Sequence, residues 1–346
     1  MDQEYIKRLE KIEVVLNQNL SENIGEKWIN SVFSTLEHTI SPQLIDLIKS
    51  LTSPCLDILT RRGKMWRPLL MNLICESLGG GDNALHLVPL VEFPHNASLI
   101  HDDIEDISLE RRGKPAIHIK YGIDIAINAG AFLYFLPLSC IESWDVSLEK
   151  KHQVFSLWGM YMRRLHLGQA MDIEWHKNFS LLPQIEEYDI MCKLKTGSLA
   201  SLAATLGVIA ANSDKEYELI KIFGASAEKL GVGFQILDDV KNLTTGNPGK
   251  KRGDDIVEGK KSLPVLLYLH KYNGKKDFVA HCFSSVRNNG IEAPEVEAFI
   301  SELSNSGAIE EAEKYGRAYI SDACKVFLTQ DEKLFSGLLD FIGINI

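Results

Sequence analysis

Apolar residues recur at helical spacing along most of the chain. After Ser41-Pro42, a pair that is typical of a helix start, the spacing i, i+3, i+4, i+7 is occupied by Leu44, Leu47, Ile48 and Leu51. Similar apolar stripes continue through residues 85–103, 123–138, 154–175, 186–210 and 216–238. Strand-like alternation bounded by turn pairs is hard to find. The pattern therefore predicts an all-α protein.

Glycine, asparagine and proline clusters mark the clearest loops, at residues 79–82, 244–255 and 288–290. None resembles a long flexible linker, and no repeat of fixed period is present. The chemical motifs described below run from Gly63 to Lys260 and must converge. We therefore expect one domain over residues 1–346, with peripheral helices at about 1–40, a motif-bearing core at about 41–265 and further helices at about 266–346.

Composition places the chain among globular proteins and narrows its partners. Of 346 residues, 45% are hydrophobic, which excludes disordered, collagen-like and disulfide-scaffold classes. The net charge of -10 disfavours nucleic acid as a partner. Six scattered cysteines without a C-x-x-C pair indicate reduced, mostly buried thiols and a cytoplasmic location. The charged N-terminus lacks a secretory apolar segment, and no uninterrupted apolar stretch approaches the roughly 20 residues that span a bilayer, so we expect no stable membrane insertion.

Two acidic clusters share one spacing. Asp102, Asp103 and Asp106 form D-D-x-x-D, and the same spacing recurs as D-D-x-x-N in Asp238, Asp239 and Asn242. Residues four apart lie on one face of a helix, where like charges repel unless a counter-charge is present. Both clusters end strongly apolar stretches, which is not typical of a solvated surface helix. Two such helices facing each other would suit Mg²⁺ bound together with substrate phosphates.

Basic residues gather around these segments despite the acidic total. They comprise Arg61, Arg62, Lys64 and Arg67 upstream, Arg111, Arg112 and Lys114 after the first cluster, Lys195 between the clusters, and Lys250, Lys251, Arg252, Lys260 and Lys261 after the second. Arginine forks and lysine point charges bind phosphate oxygens well. Metal ligands and cations together indicate one or two diphosphate ligands.

At this point the motifs resemble those of the trans-polyprenyl diphosphate synthase family. The resemblance rests on the segment from His95 to Asp106 followed by R-R-G, on G-K-x-x-R-P from Gly63, on G-Q-x-x-D from Gly168, on K-T-G from Lys195, on F-Q-x-x-D-D from Phe234 and on G-K-x-x-G-x-D-x-x-E-G-K from Gly249. It covers roughly residues 40–265. The resemblance implies a single-domain bundle of long helices around a deep central pocket, in a homodimer. The reaction it implies joins isopentenyl diphosphate head to tail to an allylic diphosphate (dimethylallyl, geranyl or farnesyl) and releases pyrophosphate.

Carried over residue by residue, the resemblance implies direct Mg²⁺ ligands at Asp102, Asp106 and Asp238, supported by Asp103 and Asp239. About three Mg²⁺ ions per active site are expected, with Mn²⁺ as a substitute, to stabilise the departing pyrophosphate. The implied catalytic residues are Lys195, Thr196 and Gln235, the last two placing oxygens beside the allylic cation. No protein base is implied, because the family attributes proton removal to the released pyrophosphate.

The resemblance also assigns the substrate sites. The allylic diphosphate would be held by Arg111, Lys195, Lys250 and Lys260. Isopentenyl diphosphate would be held by Gly63, Lys64, Arg67, His95 and Arg112. One departure is Asn242, which stands where the family usually has a third aspartate and predicts weaker metal binding. Another is the residues from Phe341 onward, which lack the basic tail that some members fold over the active site.

Product length would be set on the helix before Asp102, where Ala97 and Ser98 lie five and four residues upstream. Bulky aromatics there stop family members at farnesyl, whereas small residues let the tail pass. A turn of helix, about 5.4 Å, is close to one isoprene unit, so Phe93 one turn earlier would form a floor and favour a C20 product. A kink at Pro94 would turn Phe93 away and permit longer chains.

Several alternatives remain open at this point. Phe93 can be ordinary core, with Tyr134 or Phe135 as the stopper. The protein can instead be a farnesyl diphosphate synthase, or a non-catalytic partner subunit, for which Asn242 is the single hint. A class I terpene cyclase shares D-D-x-x-D, but it has no use for a second diphosphate site at Lys64 and Arg67.

Overall fold

The computed structural model describes residues 3–33, 41–61, 63–246 and 251–342. Its helices are α1 Gln3–Asn19, α2 Glu26–Phe33, α3 Pro42–Thr60, α4 Trp66–Ser77, α5 Pro89–Glu105, α6 Ile117–Tyr121, α7 Ile123–Phe135, α8 Leu138–Ser143, α9 Leu148–Lys177, α10 Ile185–Cys192, α11 Ser198–Ala211, α12 Glu216–Thr244, α13 Asp254–Glu258, α14 Leu263–Lys271, α15 Lys276–Asn289, α16 Pro294–Asn305, α17 Ala308–Gln330 and α18 Glu332–Ile342. Within the described ranges the strands are β1 Glu110–Arg111 and β2 Lys114–Pro115, a short antiparallel hairpin. The all-α prediction is confirmed.

Local sequence signals account for several of these boundaries. Ser41 caps α3, and its hydroxyl accepts the backbone N–H of Leu44 at 3.2 Å, while proline occupies the first helical position. The predicted loop at 79–82 follows the end of α4 at Ser77. The predicted loop at 288–290 overlaps the last two residues of α15, which ends at Asn289. Part of the third predicted loop, residues 247–250, lies outside the described residues.

The chain divides into two compact units. Unit 1 comprises Met1–Gly159, Leu202–Lys221 and Gln330–Asn345, and unit 2 comprises Met160–Ser201, Ile222–Thr329 and Ile346. Helices α9, α11 and α12 therefore each contribute residues to both units. The expected single domain over residues 1–346 stays a prediction.

Small residues let the helices of unit 1 pack closely. A Cβ on Gly130 of α7 would lie 2.4 Å from the His101 ring of α5, and a Cβ on Gly207 of α11 would lie 2.4 Å from the carbonyl oxygen of Met71 in α4. Both positions therefore require glycine. The close α5–α7 contact supports the end of α5, which carries the first aspartate cluster.

Unit 2 has a continuous apolar core built from α10 and α12–α17. At its centre the rings of Phe283 and Phe299 pack edge to face with centroids 5.8 Å apart, and Tyr268 packs on Phe299 in the same way. This core fixes the part of α12 that ends at the second aspartate cluster.

The prediction of buried, unpaired thiols is confirmed, since all six cysteines are buried and free; the cytoplasmic location stays a prediction. The statement that no stretch is apolar enough to cross a membrane needs correction. By length and composition, two stretches qualify, Ile123–Ser143 and Ile185–Ala211. The second is 83% buried, as expected for a core helix, and the first is interrupted, because α7 ends at Phe135 and α8 begins at Leu138.

Candidate active site

The first aspartate cluster lies at the end of α5 in unit 1. Asp102 keeps its side chain 21% exposed, whereas the carboxylate of Asp103 is fully buried and accepts a hydrogen bond from Arg111 Nε at 2.8 Å. Burial raises the pKa of Asp103, while the Arg111 guanidinium opposes that rise. Asp106 ends the helix through its backbone N–H, which donates to the Asp102 carbonyl at 2.9 Å. The cluster thus combines a partly exposed carboxylate, Asp102, which lies 3.5 Å from Arg111 Nη2, with a buried carboxylate that the same arginine holds.

The β1–β2 hairpin carries the two arginines that follow the cluster. Its turn places Arg112 and Gly113 in the left-handed region, with φ of 54° and 72°. The Arg112 guanidinium donates to the Ile58 carbonyl at 3.4 Å and to Asn96 Oδ1 at 3.3 Å. It also lies against Gly63, where an added Cβ would sit 2.6 Å from Nη2. The absence of a side chain at position 63 therefore leaves the space that the Arg112 guanidinium occupies.

Lys64, Arg67 and His95 are also in unit 1. Lys64 Nζ donates to the Ile342 carbonyl at 2.6 Å. Arg67 is nearly buried, with its guanidinium 4.6 Å from the centre of the Trp66 ring, and burial lowers its pKa to about 10. Burial, followed by the positive charges of Arg67 and Arg112, holds the pKa of His95 well below its ordinary value. His95 is therefore neutral at pH 7.

Glu92 is a buried carboxylate that the sequence motifs did not single out. Asn96 Nδ2 donates to Glu92 Oε1 at 2.9 Å, which turns the Asn96 carbonyl oxygen toward Arg112. Burial raises the pKa of Glu92, against the attraction of the Arg112 and Arg67 charges. These basic groups therefore have a counter-charge inside unit 1.

The structure separates the candidate chain-length residues by burial. Phe93 and Ala97 are fully buried, and α5 continues through Pro94. Ser98, one turn before Asp102, is partly exposed and donates its hydroxyl to the His95 carbonyl at 2.7 Å. Of the alternative stoppers, Tyr134 is buried beside His101, with ring centroids 5.8 Å apart, whereas Phe135 is 65% exposed. Their roles stay predictions.

The second aspartate cluster, in unit 2, also combines an accessible carboxylate with a buried one. Asp238 is exposed, whereas Asp239 is buried and accepts hydrogen bonds from Tyr188 OH at 2.7 Å and Gln235 Nε2 at 2.9 Å. Burial and the nearby Asp255 raise the pKa of Asp239 to about 7. Because Gln235 gives its amide N–H to Asp239, its oxygen accepts the Thr196 hydroxyl at 2.7 Å. Tyr188, Asp239, Gln235 and Thr196 form one hydrogen-bonded chain.

Thr196 and Lys195 lie in a π-helical segment, Lys193–Gly197, between α10 and α11. Such segments are frequent at functional sites. Lys195 Nζ donates to Asp172, which also pairs with His176 at 2.8 Å. Burial opposes ionisation of Asp172, but Lys195 and His176 hold its pKa well below the ordinary value. The π-helical segment also explains the glycine of G-Q-x-x-D. A Cβ on Gly168 would lie 2.3 Å from the Lys195 backbone nitrogen.

Asn242 has a structural position in unit 2. Its side chain is fully buried, with Oδ1 accepting the Asp255 backbone N–H at 3.2 Å, and its own carbonyl accepts the Gly253 N–H at 3.0 Å. The side-chain oxygen of Asn242 thus holds the start of α13. The expected weaker metal binding at this position stays a prediction.

A small cavity in unit 2 brings several predicted residues together. Its lining includes Asp172, Lys195, Gln235, Asp239, Lys260 and Lys261. Lys260 lies 3.2 Å from Asp255 and 3.8 Å from Glu258. Lys250, the other predicted phosphate ligand of this motif, lies outside the described residues. The arrangement in which the two aspartate clusters face each other stays a prediction.

The described residues contain no group of three or more histidine, cysteine, aspartate or glutamate side chains arranged to hold a metal ion. Mg²⁺ is usually bound by one or two carboxylates together with substrate phosphates and water. The accessible carboxylates of Asp102 and Asp238 fit that donor chemistry, because they are hard oxygen ligands.

Together, these observations define an all-α protein whose motifs combine accessible carboxylates with lysines and arginines suited to diphosphates. Comparison with known proteins identifies it further. The polyprenyl synthetase family model matches residues 48–300, so the chain belongs to this family and is a prenyltransferase.

Individual relatives agree with this assignment. The chain is 31% identical over 307 residues to a geranylfarnesyl diphosphate synthase of Aeropyrum pernix, covering 84% of this chain and 93% of the relative. It is 30% identical over 260 residues to a geranylgeranyl diphosphate synthase of Sulfolobus acidocaldarius, covering 72% and 77%. A crystal structure of a geranylgeranyl pyrophosphate synthetase from Pyrococcus horikoshii Ot3 superposes with a TM-score of 0.76 at 26% identity, covering 98% of this chain and all of that one.

Proposed function

We propose that this prenyltransferase condenses isopentenyl diphosphate with an allylic diphosphate to a trans-polyprenyl diphosphate of C20 or somewhat greater length. The observation that carries the proposal is the shared design of the two aspartate clusters. In each, the first carboxylate is accessible and the second is buried and hydrogen-bonded, in Asp102 and Asp103 and again in Asp238 and Asp239. Two clusters with one design suit a substrate that binds through diphosphate and metal ions.

Asp102, Asp106 and Asp238 would hold Mg²⁺, whose charge favours departure of pyrophosphate from the allylic carbon. About three ions per site, replaceable by Mn²⁺, remain part of the proposal. Asp103 and Asp239 orient this machinery, because each is fixed by hydrogen bonds inside its own unit. Arg111, Lys195 and Lys260, together with Lys250, would bind the allylic diphosphate as fixed cations.

The oxygen atoms of Thr196 and Gln235 would stabilise the allylic cation. The hydrogen bond from Thr196 to Gln235 joins their side chains, and the bond from Gln235 to Asp239 fixes the amide orientation. Isopentenyl diphosphate would be bound by Gly63, Lys64, Arg67, His95 and Arg112. The neutral state of His95 suits a hydrogen-bonding role toward this substrate rather than a role as a fixed charge.

The product length rests on Phe93, Ala97 and Ser98. Phe93 is buried one helical turn before Ala97. Its ring would close the end of the pocket for the growing chain there, and this position supports a C20 product. The named products of the two relatives, geranylfarnesyl and geranylgeranyl diphosphate, support C20 or longer over a farnesyl product.

The same proposal includes a homodimer in the cytoplasm. Large apolar side chains are exposed along α6 and α7, namely Ile119, Ile123, Ile127 and Phe135. A contiguous apolar face of this kind favours association with a second copy. Light scattering should give the mass of two chains, and Ile127→Glu should shift it toward one.

The free, buried thiols support a reducing compartment.

The test is product sizing with purified protein, Mg²⁺ and labelled isopentenyl diphosphate, in separate reactions with dimethylallyl, geranyl and farnesyl diphosphates. We expect elongation of each starter to a common product of C20 or slightly longer. A farnesyl product that is not elongated would contradict the assigned length. Failure to use any starter would contradict the function.

A further inference from the structure

The end of α3 contains a buried ion pair, whose arginine is one of the basic residues that precede the first aspartate cluster. Asp57 and Arg61 are one helical turn apart, with Arg61 Nε 2.8 Å from Asp57 Oδ1. Their side chains are only 9% and 1% exposed. A buried pair of charges is stabilised when its remaining donors and acceptors find partners. Within the described residues Arg61 Nη2 has none, whereas the other polar atoms of the pair do. The identity of those partners shows what the pair holds in place.

The second oxygen of Asp57 is bound from α6. Lys120 Nζ donates to Asp57 Oδ2 at 2.6 Å, and Tyr121 OH donates to the same oxygen at 3.0 Å. Burial would raise the pKa of Asp57, but the hydrogen bonds from Arg61 and Lys120 lower it to about 2. Asp57 is therefore a permanent negative charge that joins α3 to α6.

Arg61 reaches the hairpin itself. Its Nη1 donates to the backbone carbonyl of Arg111 at 3.1 Å. The next residue, Arg112, donates to the Ile58 carbonyl of the same α3 turn and lies against Gly63. The backbone of one arginine and the side chain of the other are thus both held by the end of α3.

The hairpin needs such support because of its backbone. Arg112 has a φ of 54°, and a side chain in the left-handed region is unfavourable unless surrounding contacts maintain it. The Arg111 side chain extends from this turn to Asp103. A shift of the turn would therefore move Arg111 relative to the aspartate cluster and Arg112 relative to Asn96.

We propose that Asp57 and Arg61 are positioning residues for prenyl transfer, which hold the β1–β2 hairpin at both ends so that Arg111 and Arg112 are aligned for the substrate diphosphates. The proposal rests on the proposed function for the roles of those two arginines. Neither Asp57 nor Arg61 is assigned a contact with substrate. Their effect is transmitted through the carbonyl of Arg111 and through α6.

The test is Asp57→Asn in the full chain, a change that keeps the size of the side chain and removes its charge. The matched control is Asp46→Asn on the same helix, because Asp46 is 78% exposed and lies 3.7 Å from Lys49. Trypsin cleaves after arginine, so the rate of cutting at Arg111 and Arg112, read by mass spectrometry, reports directly on the hairpin. We expect this rate to rise about tenfold in Asp57→Asn while the control behaves as wild type.

Kinetics provide the second measurement. Misalignment of binding groups should raise the KM values for both diphosphates several-fold and lower kcat/KM about tenfold. Asp57→Glu, which restores the charge, should recover part of both effects. Tyr121→Phe removes one hydrogen bond to Asp57 and should give a smaller change in the same direction, which keeps the test available should Asp57→Asn fail to fold.

The two measurements separate the two proposals. Faster hairpin cleavage in Asp57→Asn supports the view that Asp57 and Arg61 hold the hairpin. If the wild type at the same time does not turn over isopentenyl diphosphate, the proposed function is overturned. Wild-type cleavage rates and unchanged KM values in folded Asp57→Asn and Tyr121→Phe would overturn the positioning role. A uniform loss of stability without faster hairpin cleavage would also overturn it.

Discussion

Removing one hydroxyl group, in Tyr188→Phe, tests the hydrogen-bonded chain of unit 2. Tyr188 and Asp239 are 2% and 3% exposed, so water does not readily replace the 2.7 Å bond from Tyr188 OH to Asp239 Oδ2. Above the Asp239 pKa of about 7, for example at pH 8, the carboxylate is charged, and a hydrogen bond to a charged group contributes about 1.5–3 kcal/mol. For a chain of this length, about 2 kcal/mol corresponds to a fall in Tm of about 3 °C.

The same change should affect catalysis through Gln235. With Asp239 held from one side only, the Gln235 amide loses part of its fixed orientation and its oxygen is less well placed beside the allylic cation. We expect kcat to fall about tenfold with smaller changes in KM. The assay combines thermal unfolding by far-UV circular dichroism with steady-state condensation kinetics.

Tyr217→Phe is the matched control, because Tyr217 is 72% exposed and its ring neighbour is Lys221. It should leave Tm and kcat at wild-type values. If Tyr188→Phe behaved like this control in both measurements, the reasoning that assigns a positioning role to Tyr188 would be refuted.

Four further predictions follow from the same structure. Gly168→Ala should lower the free energy of unfolding by about 1–3 kcal/mol, because its Cβ would meet the Lys195 backbone at 2.3 Å; urea titration checks this against Gly274→Ala, which has open space. Asn242→Asp should destabilise the fold by about 2 kcal/mol, because it places a carboxylate at a fully buried position, and a gain in Mg²⁺ affinity instead would show that the position binds metal. Phe93→Ala should lengthen the product and Ala97→Phe shorten it, and an unchanged product distribution in both would exclude the floor. Since the pKa of folded Asp57 is about 2, below the ordinary aspartate value of about 3.9, its contribution to stability is complete above about pH 5 and lost as pH falls toward 2; this loss, about 2 kcal/mol, should be absent from Asp57→Asn in urea unfolding at each pH.

Much of the fold followed from local patterns. Apolar spacing indicated the long helices, and Ser41-Pro42 marked the start of α3, because capping and helical periodicity depend on residues close in sequence. The motif spacing also placed Asp102 and Asp238 at the ends of apolar helical stretches. Within each cluster, the structure adds which carboxylate is accessible and which is buried.

Residues that act through long-range contacts could not be found in this way. Tyr188 looks like one more core position of its helix, and its partner Asp239 lies 51 residues away. Asp57 lies within an apolar stripe, and its bonds to Lys120 and Tyr121 depend on how α6 packs on α3. The contact of Asn242 is of the same kind, because its position in D-D-x-x-N shows nothing of the Asp255 N–H that its side chain accepts.

The central claim is that this chain alone carries out metal-dependent prenyl transfer through the two accessible aspartates. The most direct measurement is incorporation of labelled isopentenyl diphosphate into product by the purified protein with Mg²⁺ and farnesyl diphosphate, compared with Asp102→Asn and Asp238→Asn. We expect turnover by the wild type, its loss on chelation, and at least a hundredfold lower kcat in each variant, about 2.7 kcal/mol or more in barrier height. No incorporation by the wild type, or equal rates in the variants, would contradict the account.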